Sequence, residues 1–223
     1  MIDFLLYKAA KAGQFGRMQT FPLGSITDAL FVYLDGAPDP ESIHTADTAC
    51  RQKPLVCLTK EWEDHIRANY PDAQVFTRYL MKPASRFALN QNIRLPEGFT
   101  LSSFDEDAFT RHPFSHGENY ASFSDFQTRG AGAVVRHKGT VVSAASSFLS
   151  LGQDVELDVS TKDEHQGLGL ASACIQKMLA DCEKRGITVH WDAQNETSRH
   201  LAEKFGFQPE TQYRVWFIPQ KPV

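Results

Sequence analysis

Two acids and two glycines within residues 154–171 have the types and spacing to do chemistry. Glu156 and Asp158 are two apart, so on an extended chain their side chains point the same way. Either could act as a general base toward an amine, which attacks only after its ammonium form loses a proton. The bland alternative is a solvated strand face. Gly167 and Gly169 stand in Gln166-Gly167-Leu168-Gly169-Leu170-Ala171. Without Cβ atoms they permit a tight turn and let an anion approach backbone N–H groups. The loop is not a P-loop, because no Gly-Lys-Ser/Thr follows. It also lacks the third glycine of the dinucleotide fingerprint.

The elements that must position these residues are legible around them. Val155, Leu157 and Val159 alternate with Asp154, Glu156 and Asp158, which predicts a half-buried strand with one acidic face. After the glycines, Ala171, Cys174, Ile175, Met178, Leu179 and Cys182 recur at spacings of three and four. That is an amphipathic helix, and Gly186 is placed to stop it. Strand, glycine loop and helix together can make an anion site, since the first helical turn has unpaired N–H groups and a partial positive charge; the alternative is that the two glycines simply let the helix pack closely on the strand.

The loop resembles the Arg/Gln-x-x-Gly-x-Gly/Ala motif of the GNAT superfamily of acetyl-CoA-dependent N-acetyltransferases. Downstream, Thr188-Val189-His190-Trp191-Asp192-Ala193-Gln194-Asn195 and Ser198-x-x-Leu201-Ala202-Glu203-Lys204-Phe205-Gly206-Phe207 are similar to that family's next strand, helix and Gly-Phe corner. Residues 157–171 with Trp191, Asp192, Asn195 and Ser198 resemble in particular the branch that includes zwittermicin A resistance acetyltransferases.

The resemblance implies a mixed, mainly antiparallel central sheet flanked by helices, an α/β (α+β) fold. It implies acetyl-CoA as co-substrate, held by Gln166, Gly167, Leu168, Gly169, Leu170 and Ala171, with its pantetheine arm along the backbone of Leu157 and Val159. Asn195 would contact the cofactor or orient the substrate. Its local alternative is a helix N-cap with Ser198 three residues on, and the two roles are compatible. The implied reaction is acetyl transfer to a primary amine of a small molecule by direct attack, with Glu156 as first-choice base and Asp158 as second. Many family members carry a tyrosine four residues before the corner glycine as acid for the departing thiolate. This chain has Ala202 there, so Ser198, Tyr213 or water would have to serve. A protein or peptide N-acetyltransferase and a non-catalytic acyl-CoA-binding regulatory module are the competing classes.

Composition narrows the partners. The chain has 223 residues and a net charge of −4 with acids and bases intermixed, which argues against nucleic acid. Residues 1–7 do not read as a signal peptide, and no apolar run has membrane-spanning length. Cys50, Cys57, Cys174 and Cys182 contain no Cys-x-x-Cys pair and read as reduced core thiols of a cytoplasmic protein. His112 and His116 are four apart, but Pro113 lies between them and no ligand pattern completes a site, so no metal is expected. Oligomeric state is not readable.

In chain order, strands are expected at residues 29–34, 54–58 and 74–81, with a helix over 61–70 ended by Pro71. Residues 83–98 read as a connection, with a boundary near 95. Residues 1–95 read as a smaller α/β part, either a separate small domain or a degenerate GNAT-like half, and 96–223 as the acetyltransferase domain. Within the latter, a strand at 99–104 precedes a mixed stretch at 106–130. Strands at 133–137 and 140–146 flank the hairpin signal Lys138-Gly139. The rest is a strand at 154–160, the loop and helix, a strand at 187–193, a helix at 196–204, and a closing pair near 207–208 and 213–218.

Overall fold

In a computed structural model, which describes residues 4–49, 53–83, 85–89, 93–111 and 116–219, the chain forms two compact units. One comprises Met1–Leu80 with Thr211–Val223, the other Met81–Glu210.

The first unit opens with helix α1 (Leu5–Lys11) and a hairpin of β1 (Arg17–Phe21) and β2 (Gly24–Asp28). Strand β3 (Val32–Gly36), helix α2 (Pro40–Ala49), β4 (Leu55–Cys57), helix α3 (Lys60–Asn69) and β5 (Gln74–Lys82) follow. β2 and β3 pair antiparallel, and β3 and β4 parallel. The core gathers Phe21, Ile26, Leu34, Leu55, Trp62 and Ile66 between sheet and helices. The sequence reading has neither α1, the β1–β2 hairpin nor α2. Pro40 opens α2 at the first helical position, where its missing N–H costs nothing. Asp39 accepts the N–H groups of Glu41 and Ser42 at 3.0 and 3.1 Å, a cap visible only once the helix is known.

The second unit runs β6 (Phe99–Ser103), α4 (Glu106–Thr110), α5 (Phe123–Arg129), β7 (Gly132–His137), β8 (Thr140–Leu151), β9 (Asp154–Thr161), α6 (Leu170–Arg185), β10 (Thr188–Ala193) and α7 (Glu196–Lys204). Its sheet has the order β10-β9-β8-β7-β6, antiparallel except for the parallel pair β9–β10. Lys138 and Gly139 both have positive φ, the geometry of a type I′ turn joining β7 to β8. α6 covers one face of the sheet. It buries Cys174, Ile175, Met178 and Leu179, each large apolar side chain worth roughly 1.5–3 kcal/mol over its exposed state. Cys174 Sγ reaches Ser143, whose Oγ lies 2.7 Å from Thr161 Oγ1. Residues 143 and 161 therefore mark the α6 face, and Ala144, Ser146, Asp158 and Glu156 the opposite one. There α4 and α5 pack, through Ala108 and Phe126 against Val134 and Ala144.

Three boundaries differ from expectation. The strand expected at 29–34 is β3 at Val32–Gly36, starting three residues later. β8 extends to Leu151, with a register shift between Ser147 and Leu149 that sets Phe148 out of the ladder. The expected closing pair is a single strand, β11 (Gln208–Phe217), whose Trp216 stands opposite Leu55 in the first unit. Residues 208–213 contain no Gly, Asn or Asp to make a turn, and Pro209 is tolerated near a strand's first residue.

Candidate active site

The site begins where two strands part. β9 and β10 pair at Thr188 with Asp154, Val189 with Val155, and His190 with Glu156, and there the shared ladder ends. β9 continues to Thr161 and β10 to Ala193. Glu156 is 6% exposed, and its Oε1 accepts the N–H of Asp192 at 2.9 Å. Asp158, one step further out on the same face, is half-exposed and lies 3.0 Å from His116 Nε2. On the inner side, His190 Nε2 is 2.8 Å from Asp154 Oδ1.

The glycine loop follows β9 through a 3-10 turn at Asp163–His165. Gln166 Nε2 donates to Asp163 Oδ1 at 2.8 Å, which braces the loop. Gly167 and Gly169 have φ of +77° and +76°, and a Cβ at either would meet nothing within 4 Å. The glycines thus serve backbone conformation rather than close packing. Gly169 caps α6, no acid occupies the helix's first turn, and the first intrahelical bond runs from Ala173 N to Gly169 O. The N–H groups of Leu170, Ala171 and Ser172 precede that bond and have no partner within the helix. A cavity of about 460 Å³ lies over them. Its walls are Val159, Ser160 and Thr161 of β9, the loop and first turn of α6, and Gln194, Asn195, Thr197, Ser198 and Leu201. A phosphate-bearing ligand fits this donor set: three amides with no partner within the helix, a helix N-terminus and no competing carboxylate in the turn.

Asn195 Oδ1 accepts the N–H of Ser198 at 2.9 Å, so it caps α7 while facing the cavity. Ser198 Oγ accepts the indole N–H of buried Trp191 at 3.1 Å and faces the same cavity. Of the remaining sequence candidates, Leu157 is buried and Leu168 exposed, neither lining the cavity. Tyr213 belongs to the first unit, its ring edge-on to Phe4 and its hydroxyl accepting from Arg78 Nε at 3.1 Å. Sequence reasoning missed Thr197 and Ser172, which sit in the first turns of helices it had placed, and that position is the signal that could have found them. It also missed the partnership of His116 with Asp158, for which no local signal exists. His112 and Cys50 lie outside the described residues, among which no cluster of three His, Cys, Asp or Glu could hold a metal.

An open wedge between parallel strands stands beside a glycine loop that starts a helix, and known proteins share this fold. The profile of the GNAT acetyltransferase family matches residues 17–216; this chain belongs to that family. A crystal structure of a GCN5-related N-acetyltransferase-like protein from Streptococcus suis is 28% identical, covers 97% of this chain and 93% of its own, and superposes with a TM-score of 0.82. A GCN5-related N-acetyltransferase from Kribbella flavida shares the fold at 16% identity and TM-score 0.59, covering 98% of each chain. The fold is that of the GNAT proteins, mixed α/β with a mainly antiparallel central sheet flanked by helices. The uncharacterized N-acetyltransferase YdfB of Bacillus subtilis is 32% identical over 136 residues, 58% of this chain. The chain spans about half the length of that curated relative, 52%.

Proposed function

We propose that this protein transfers the acetyl group of acetyl-CoA to a primary amine of a small-molecule acceptor. The observation that carries this reading is the continuity of one cavity from the amides of Leu170, Ala171 and Ser172 to β9 at Val159 and α7 at Ser198. The pyrophosphate would lie on the amides, and the pantetheine arm would run along the unpaired edge of β9 at Leu157 and Val159. Gln166, Gly167, Leu168 and Gly169 shape the turn, and Asn195 offers its amide N–H groups while its oxygen caps α7.

The reaction joins an amine nitrogen to the thioester carbonyl carbon and breaks the C–S bond. Glu156, buried at the mouth of the wedge, takes the ammonium proton; Asp158 is the second candidate. Backbone N–H groups in the wedge would hold the developing oxyanion, a preorganised donor of a kind worth about 3 kcal/mol. Ser198, already fixed by Trp191, is better placed than Tyr213 to meet the thiolate, because it faces the cavity. No metal has a part in this chemistry. Among the described residues, the free cysteines Cys57, Cys174 and Cys182 fit a reducing compartment such as the cytoplasm. The first unit, Met1–Leu80 with Thr211–Val223, is read as a degenerate GNAT-like half.

The test is calorimetry with acetyl-CoA and CoA, then thiol release on polyamines, amino sugars, amino acids and peptides. Turnover on small amines is the expected result. Turnover on peptides alone would move the assignment to a peptide acetyltransferase. Tight CoA binding without turnover on any acceptor would make the protein a binding module.

A further inference from the structure

Turning an ammonium into an amide removes two protons from nitrogen, one before attack and one after. Glu156 can hold only one at a time. A second ionisable pair stands on the same face of β9, where His116 Nε2 lies 3.0 Å from Asp158 Oδ2.

The histidine is fastened there from a distant part of the chain. His116 O accepts the N–H of Asn119, closing a 3-10 turn. Asn119 Nδ2 donates at 2.8 Å to the carbonyl of Phe148, the residue displaced by the irregularity in β8. The Phe148 ring packs against the imidazole with centroids 4.7 Å apart. The His116 side chain is 17% exposed and that of Asp158 49%, so the pair opens to solvent. Among the described residues, Nδ1 of His116 makes no hydrogen bond. A carboxylate that accepts Nε2–H selects the tautomer with its lone pair on Nδ1.

We propose that His116, held by Asp158, is the second proton acceptor at the acceptor amine; the proposal rests on the acetyl-transfer reading above. Glu156 removes the first proton from the ammonium, and the freed nitrogen lone pair forms the C–N bond. The nitrogen, now cationic, gives its second proton to His116 Nδ1. The carbonyl re-forms as the C–S bond breaks, and the thiolate receives the proton that Glu156 carried, directly or through Ser198. His116 releases its proton to solvent. The balance is ammonium plus acetyl-CoA giving amide, CoA thiol and one proton.

The experiment measures CoA thiol release by the full chain on spermidine, glucosamine, tryptamine and phenylalanine amide, for wild type and for His116→Ala, His116→Gln and Asp158→Asn. Acetyl-CoA affinity and thermal midpoint are recorded for each. Expected are a fall in kcat of about a hundredfold in His116→Ala, unchanged acetyl-CoA affinity, partial recovery of kcat in that variant with added imidazole, and no further loss when Asp158→Asn is combined with it. His116→Gln provides the same test if the alanine variant is poorly folded, through its kcat at unchanged KM. Wild-type-like kcat in either folded variant overturns the proposal and leaves the acetyl-transfer reading standing. A loss in His116→Ala that imidazole does not restore also overturns it. A wild type that binds acetyl-CoA but acetylates none of the four amines overturns the small-amine reading, and this proposal with it.

Discussion

The carboxylate of Glu156 receives the backbone N–H of Asp192 at 2.9 Å, immediately past the last rung that β9 and β10 share. A side chain thus satisfies, across the opening wedge, a donor that would have been paired by backbone had the two strands stayed together. The same carboxylate is the first candidate base, so its removal acts on both structure and chemistry.

Glu156→Gln separates the two. The amide keeps an oxygen for Asp192 N–H but cannot take a proton at neutral pH. Turnover should drop well over tenfold, about a hundredfold for lost general-base help, with the thermal midpoint and acetyl-CoA affinity close to wild type. Glu156→Ala should in addition destabilise by about 1–3 kcal/mol, the cost of an orphaned buried donor. Full activity in Glu156→Gln with loss in Asp158→Asn would exchange the roles of the two acids.

Gly169 has the φ of a left-handed residue and no neighbour where a Cβ would go. Gly169→Val should therefore fold but strain the loop by about 1–2 kcal/mol, and lower acetyl-CoA affinity at least tenfold by calorimetry. Gly169→Asn, which tolerates that backbone better, should bind more tightly than the valine variant. Affinity equal to wild type in both would remove the loop from the cofactor site.

Ser198 and Tyr213 compete for the place of the absent tyrosine. Ser198→Ala leaves the buried indole N–H of Trp191 without its acceptor, so a stability loss of about 1–3 kcal/mol should accompany the loss of turnover. Tyr213→Phe removes an acceptor from Arg78 and should keep near-wild-type turnover. A hundredfold fall in Tyr213→Phe at unchanged thermal midpoint would give Tyr213 the acid role.

Arg129 bonds both oxygens of Asp125, at 2.6 and 2.7 Å, and with help from the Ala121 N–H holds this carboxyl at about 2. The folded value lies below the unfolded one of about 3.9. The stabilisation is therefore present above pH 4 or so and is lost as pH falls toward about 2. Asp125→Asn should be less stable than wild type at neutral pH by about 1 kcal/mol, since the pair is partly exposed. Urea melts should show the gap closing over that acidic window. A gap independent of pH would contradict the assignment.

Burial pushes the thiols of Cys174 and Cys182 up to about 12. The thiolate is the reactive form, so iodoacetamide at mildly alkaline pH should label neither in the native protein and both in denaturant, read by peptide mass spectrometry. Native labelling of Cys174 would mean that α6 opens from the sheet.

What the sequence determined alone is what neighbours within about four residues decide. The alternation at 154–159, the two glycines, the apolar spacing of α6, Gly186 in the left-handed conformation at its end and the Asn195–Ser198 cap are all local, and each stands where its pattern puts it. Family resemblance added acetyl-CoA and the order of elements, because those motifs are local too. The tertiary structure alone decided the rest. Period-two spacing puts Glu156 and Asp158 on one face but cannot say that one is sealed in the wedge and the other open to solvent, since that depends on the rung at which β9 leaves β10. No neighbour rule joins His116 to Asp158, or assigns the end of β11 to the first unit. Those relationships are contacts between distant segments, and only the packing of the whole chain brings the segments together.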